Sequence, residues 1–466
     1  MFHKFLLLTF SALFLAAFAE EGQEADVEAS AEASPYATET GIDFSGFNNE
    51  ANPRDDFFAY VNQGWLDRTE IPGDRGTYGS FGILRDESEK NQQAIIEELA
   101  AMEGLEAGSI EQKIGDLYGS LLDASYVEGK GATPIQSYLD KVDTIADYSD
   151  LVRTFGENQY SGVTSPLGTF VIPDLGDSTR YMSYIWQGGL GLPGKDYYTL
   201  EGEKYDEIRT AYPLYIAQMF ELAGIDNGAE RAVNVFAIEN RLAEGHWSPE
   251  KNRDIPALYN LREVANLSEI NADVDWQAFL EGAGLGERTE IVVAQMSYFE
   301  SMGEILTGFS IDAWKDYLKF HSLNGAATFL SSEFEDADFA FNGALIDGRE
   351  EKTPRWKNAV RVVNGSLGEG VGKVYVDRHF PPEAKAQMEQ LVANLMVAFE
   401  DGIKNLEWMS DETKAAAESK RQKMMTKIGY PDEWETYEGM EIIADDPIAN
   451  LVSATAWTYQ DNVNQL

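Results

Sequence analysis

Apolar positions along this chain recur mostly at three- and four-residue intervals, the spacing of a helix with one buried face. Ser109-Ile110-Glu111-Gln112 is a capping-box start, and Ile114, Leu117, Tyr118, Leu121 and Leu122 follow it on one face. Residues 86–101 predict a second helix with Ile95, Ile96 and Leu99 inward, and 230–242 a third with Val235, Ile238 and Leu242 on one side. The longest pattern covers 382–406. Pro382 suits a first turn, and Met388, Leu391, Val392, Leu395, Phe399, Ile403 and Leu406 keep the helical period. Ser410 is a good N-cap, with Asp411 and Glu412 at the positive end of the helix dipole. That helix is expected to stop before Gly429 and Pro431. Residues 167–172 and 181–186 are strand-like, and 174–179 supply turn residues between them, which predicts a β-hairpin. The predicted fold class is mainly α with a minor β part.

The first residues break this pattern. Lys4 precedes an apolar stretch over 5–18, and Ala17-Phe18-Ala19 is a small-x-small cleavage site, so residues 1–19 predict a secretory signal peptide. The apolar run falls short of the ~20 residues that span a bilayer, so no stable membrane anchor is expected after cleavage. Residues 20–40 are rich in Glu, Ala and Ser and predict a disordered acidic linker. From 41 to 466 the chain is expected to be globular, without internal repeats. No cysteine is present, which leaves no site for lipid attachment, and the expected location is periplasmic or extracellular.

Charge narrows the chemistry. Lys and Arg total 36 against 80 Asp and Glu, a net charge of −44. Binding a polyanion needs clustered cations, so a nucleic-acid partner is not expected. The missing cysteines exclude disulfides, thiolate metal sites and cysteine nucleophiles. No G-x-S-x-G elbow and no P-loop occurs. Asn271-Ala272-Asp273-Val274-Asp275 begins like a calcium loop, but Trp276 stands where the sharp turn needs glycine. The four histidines are His3, His246, His321 and His379. None has a second histidine four residues away, the spacing that aims two imidazoles at one zinc ion. Surface or packing roles are therefore expected for the last three. Carboxylate pairs carry no signal among so many acids.

A series of aromatic, glycine and proline signatures says more. Asp55-Asp56-Phe57-Phe58-Ala59-Tyr60-Val61-Asn62-Gln63-Gly64-Trp65 comes first, then Ile71-Pro72 and Gly79-Ser80-Phe81-Gly82-Ile83-Leu84-Arg85. Gly189-Leu190-Gly191-Leu192-Pro193, Asp196-Tyr197-Tyr198, Arg253-Asp254 and Tyr259-Asn260 follow in order. Pro354-Arg355-Trp356-Lys357, Val371-Gly372, Tyr375-Val376, Trp408-Met409 and Ile428-Gly429-Tyr430-Pro431 complete the series. In this order the segments resemble the N-terminal portion of neprilysin-family zinc metallopeptidases, which include the endothelin-converting enzymes and bacterial oligoendopeptidase O. Gln63 departs from the family, which usually has Gly there. Most of these residues also read as scaffold, since turn glycines and aromatic cores need no ligand.

The resemblance implies a mainly α, two-lobed architecture, of which this chain would supply the helical covering lobe and an N-terminal strip of the catalytic lobe. It implies zinc-dependent cleavage of oligopeptides by the full-length enzyme. The family's zinc ligands lie in an H-E-x-x-H helix and a later E-x-x-x-D helix, and neither motif occurs in this sequence. Zinc is thus expected in the full-length enzyme and not in this chain, which alone is expected to be inactive and to read as truncated before the motif. A non-catalytic helical peptide- or ligand-binding protein is the alternative. Among site residues, the resemblance points to Arg85 as a contact for peptide substrates. Arg85 could instead be a helix-start arginine paired with Asp86, Glu87 or Glu89. Some relatives carry another arginine eight positions earlier, where this chain has Thr77, with Arg75 close by.

Overall fold

The computed structural model describes residues 42–466. The signal peptide and acidic linker expected over residues 1–40 fall outside the described residues. The chain divides into two compact units, ending and beginning at Pro72 and Gly73.

In the first unit a 3₁₀ turn, Phe44–Gly46, precedes helix α1, Phe57–Leu66. Asp56 caps α1 by accepting from the Ala59 amide at 2.8 Å, as an N-cap carboxylate should. Arg68 ties the unit together. It pairs with Asp43 at 2.9 Å and donates to the Ser45 and Gly64 carbonyls at 2.9 and 3.0 Å. Gln63, the departure from the family pattern, donates to Asp67 across one helical turn at 2.6 Å.

The second unit carries the remaining long helices: α2 (Ser80–Ala100), α3 (Ile110–Leu122), α4 (Tyr148–Ser161), α5 (Glu203–Leu222), α6 (Gly228–Gly245), α7 (Met296–Thr307), α8 (Ile311–Ala326), α9 (Arg355–His379), α10 (Pro382–Asn405), α11 (Asp411–Gln422) and α12 (Pro447–Asn464). Helices α4 to α8 enclose the larger core, built from Phe155, Phe220, Leu242, Phe299 and Trp314, all fully buried. Each such side chain contributes roughly 1.5–3 kcal/mol by leaving water. A second core joins α2, α3 and α9 through Ile95, Ile96, Ile114, Leu117, Val360 and Val363. The inward face expected for α3 is the buried one, except that Leu122 at its end is 38% exposed. Ser109 caps α3 at the Gln112 amide, 3.2 Å, while the Gln112 side chain reaches the Gly108 amide at 3.0 Å.

The expected hairpin is present as β1 (Leu167–Pro173) and β2 (Tyr181–Gln187), antiparallel with Leu167 opposite Gln187. It belongs to a four-stranded sheet of order β1-β2-β4-β3. The added strands, β3 (Leu261–Glu263) and β4 (Glu290–Val293), are too short to leave a period in the sequence.

Helix α10 departs most from expectation. Its apolar face is real, yet nothing in α10 is buried. Met388, Leu391, Leu395 and Phe399 are between 43 and 63% exposed. α10 packs on α11, and α11 carries too little apolar surface to cover a stripe of that length. α11 itself ends at Gln422, earlier than Gly429 would suggest.

Candidate functional site: a charged cleft beside α2

A cleft of about 600 Å³ opens between the segment before α2, the first turns of α2, and the chain leading into α9. Two backbone strands form its rim. Gly73 accepts from the Glu350 and Glu351 amides at 2.9 and 2.8 Å. Gly76 passes so close to Asp347 that a Cβ there would stand 2.1 Å from the Asp347 carbonyl oxygen, so a side chain would force the rim apart.

Ion pairs fix the walls. Lys357 on α9 binds Asp74 at 2.6 Å. Burial pushes the Asp74 carboxyl up, but Lys357, together with the charges of Arg75 and Arg361, outweighs it and holds the group below its ordinary value. Arg75 pairs with Asp86 and, at 3.2 Å, with Glu89. Tyr78 donates to Asp86 at 3.1 Å. Arg361 on α9 closes the network on Glu89 at 2.9 Å. Glu89 is buried, and breaking a buried pair by removing one partner is strongly destabilising.

Arg85 lies on the second turn of α2 and lines this cleft. Its side chain is exposed. Among the described residues it makes no ion pair, because Asp86 and Glu89 are both taken by Arg75. The helix-start pairing with those two acids is therefore not made. Thr77 also lines the cleft, and so does Arg75, whose guanidinium is committed to its two carboxylates.

Sequence reasoning missed the opposite wall. A π-helix, Phe339–Ile346, leads into the loop that carries Asp347 and Arg349. Such π segments often mark functional sites. The run of apolar residues over 339–346 was visible, but a period near four cannot announce a π turn. Asp338, at the entry, also lines the cleft. Burial pushes its carboxyl above the ordinary value, against a hydrogen bond from Asn342 and the charge of Arg349.

The histidines lie elsewhere. His246 Nε2 is 3.0 Å from the Gly188 carbonyl oxygen. His321 is buried, with Nε2 2.9 Å from Glu239 Oε1 but off the line of a good hydrogen bond. It touches the edge of a second cavity of about 630 Å³, between the ends of α8 and α12, whose walls are mostly apolar. His379 lies against Tyr375 on α9, ring centres 4.8 Å apart. Among the described residues no three His, Asp or Glu side chains converge as a metal ion requires. These residues do not fit zinc, and no step through a metal is assigned to them.

The signature residues are largely structural. Tyr198 donates to the fully buried Glu239 at 2.5 Å, beside Tyr212 from outside the series at 3.0 Å. Asn260 donates to the carbonyls of Ala257, Val293 and Ala294, at 2.9 to 3.1 Å, where β4 ends.

A protein-family model described as Peptidase family M13 matches residues 53–431. This chain belongs to that family. Mouse neprilysin is 29% identical over 415 residues, which cover 82% of this chain and 54% of neprilysin. Guinea-pig endothelin-converting enzyme 1 is 25% identical over 409 residues, covering 83% and 52%. Among solved structures, the Mycobacterium tuberculosis zinc metalloprotease Zmp1 in complex with an inhibitor superposes with a TM-score of 0.86 at 34% identity, over 91% of this chain and 64% of that one. PepO from Lactobacillus rhamnosis shares the fold, with a TM-score of 0.75 at 16% identity. The M13 chain described here spans about half the length of the curated relatives it matches. The neprilysin-family resemblance and the mainly α class are thus confirmed.

Proposed function

We propose that this chain is the peptide-holding portion of an M13 zinc metalloendopeptidase acting on oligopeptides, and that Arg85 is its substrate contact. The observation that carries the reading is the open guanidinium. Arg85 lines a cleft of about 600 Å³ and makes no ion pair among the described residues, while Asp86 and Glu89 are bound to Arg75. A guanidinium so placed can donate to a peptide carbonyl or grip a carboxylate with two parallel hydrogen bonds. The cleft lies within the range of small-ligand sites, roughly 300–1,000 Å³.

Hydrolysis belongs, in this reading, to the full-length enzyme and its zinc. The 466 residues carry no H-E-x-x-H and are proposed to be inactive and free of zinc by themselves. The apolar stretch over 5–18 and the Ala17-Phe18-Ala19 site support export to a periplasm or the outside. Among the described residues no helix is long and apolar enough to cross a membrane.

The test is peptide binding by the 466-residue chain, read by fluorescence anisotropy of a labelled short peptide. Arg85→Gln should weaken binding about tenfold, the worth of a charge-assisted hydrogen bond, with an unchanged thermal melt because the side chain is exposed. Equal affinity of the variant and the parent would sink the assignment. Capture without cleavage would use the same cleft. Peptide cleavage by the full-length product, lost on adding a chelator, separates the two.

A further inference from the structure

We infer that Arg349 is a second anion-holding residue of this cleft and selects peptides that carry a carboxylate side chain. The inference rests on the peptide-binding reading above and adds a specificity to it.

Five cations line the cleft, and three are spoken for. Arg75 is held by Asp86 and Glu89, Arg361 by Glu89 at 2.9 Å, and Lys352 by Asp336 and, at 3.6 Å, Glu335. Arg85 has no acid. Arg349 has one ion pair, with Asp347 at 3.3 Å, and its charge also reaches the carboxyl of Asp338. Lys352 is shared by two acids, whereas Asp347 offers this single contact and is 56% exposed on its side chain, so water competes for it and the pair is weak. An incoming carboxylate can displace Asp347 at small cost.

The guanidinium is nevertheless held in place. It donates to Thr353 Oγ1 at 3.1 Å and lies 5.9 Å from the centre of the Phe339 ring. Its backbone amide donates to the Gly343 carbonyl at 2.9 Å, across the end of the π-helix. The preceding Gly348, at φ +71°, makes the left-handed turn that aims the loop. An arginine held by its surroundings yet weakly paired loses little entropy on binding an anion. Of the other acids lining the cleft, Asp74 is paired with Lys357 and Glu335 with Lys352, and burial favours the neutral carboxyl of Asp338.

Arg85 on one wall and Arg349 on the other divide the work. The first holds peptide backbone and the second reads a side chain. Thr77 stands on the Arg85 wall of the cleft, and the Arg349 guanidinium enters it from a different element.

The experiment uses the 466-residue chain and labelled pentapeptides, acetylated and amidated so that no terminal charge intervenes. Glu is compared with Gln at each position in turn. The parent should prefer Glu at one position by about tenfold. Arg349→Gln should abolish that preference while Gln-peptide affinity stays within about twofold. Asp347→Asn, at an exposed side chain, should sharpen it by removing the competing carboxylate, and guards against a misfolded Arg349 variant. Equal binding of Glu and Gln peptides by the parent, or a preference that survives Arg349→Gln, overturns the inference alone. If the parent binds none of the peptides, the peptide-binding reading fails and this inference falls with it.

Discussion

His246 follows α6 with one ring nitrogen on the Gly188 carbonyl and its ring edge-on to Tyr298, 5.0 Å between centres. Burial lowers its pKa to about 4, and nearby Lys195 adds to the effect, against the hydrogen bond to Gly188. The unfolded chain takes up this proton near pH 6.5, so between those two values it binds more protons than the folded chain. Stability therefore falls as pH drops from about 6.5 to about 4 and does not change further from this group below that. The loss is up to about 3 kcal/mol. His246→Gln keeps a donor for Gly188 and should remove this part of the pH dependence. Denaturant unfolding at about pH 7 and about pH 4.5 checks it, since equal losses in variant and parent would exclude the histidine as the cause. The sequence told that His246 had no histidine partner at metal-binding spacing. It could not tell how deeply the ring is buried, because that depends on α7 and on the chain at Gly188. Arg85 was legible because its segment matched a known order of residues. Arg349 and Asp338 were not, because they meet Arg85 only after far-apart stretches fold together.

At the scale of elements, the helical period forecast most faces well. Ile95, Ile96 and Leu99 on α2, and Val235, Ile238 and Leu242 on α6, are buried as expected. Where it misled was α10. A periodic stripe states that a face is apolar, and it does not state that a partner covers it. The stripe of Met388, Leu391, Leu395 and Phe399 forms a contiguous apolar surface of the kind that draws proteins together. Replacing Leu391 and Leu395 with Glu should leave unfolding free energy within about 0.5 kcal/mol, as surface changes do, and should reduce self-association. Sedimentation of parent and variant at matched concentrations decides this. A parent that stays monomeric at high concentration would mean the stripe is not adhesive.

For the whole molecule, charge dominates. A net charge of −44 repels itself more in the compact state than in the unfolded chain. Many of the ion pairs are exposed, such as Arg153–Glu281 with both side chains over 40% accessible, and such pairs contribute little. Salt should therefore stabilise this protein. Between about 0.01 and 1 M the screening length falls from about 30 to 3 Å, and the thermal midpoint should rise throughout. A midpoint that falls with salt would show that the attractive pairs outweigh the general repulsion.

The sequence by itself determined the helical class, the β-hairpin, the family and the candidacy of Arg85. Each of these rests on local period, capping residues or a fixed order of short motifs, which a linear chain records directly. Tertiary structure alone decided that Asp86 and Glu89 belong to Arg75, which leaves Arg85 open, and that a π-helix delivers Arg349 to the same cleft. It also decided that α10 is uncovered. These outcomes depend on which distant segments lie within a few ångströms of one another, and no local pattern of residues carries that distance.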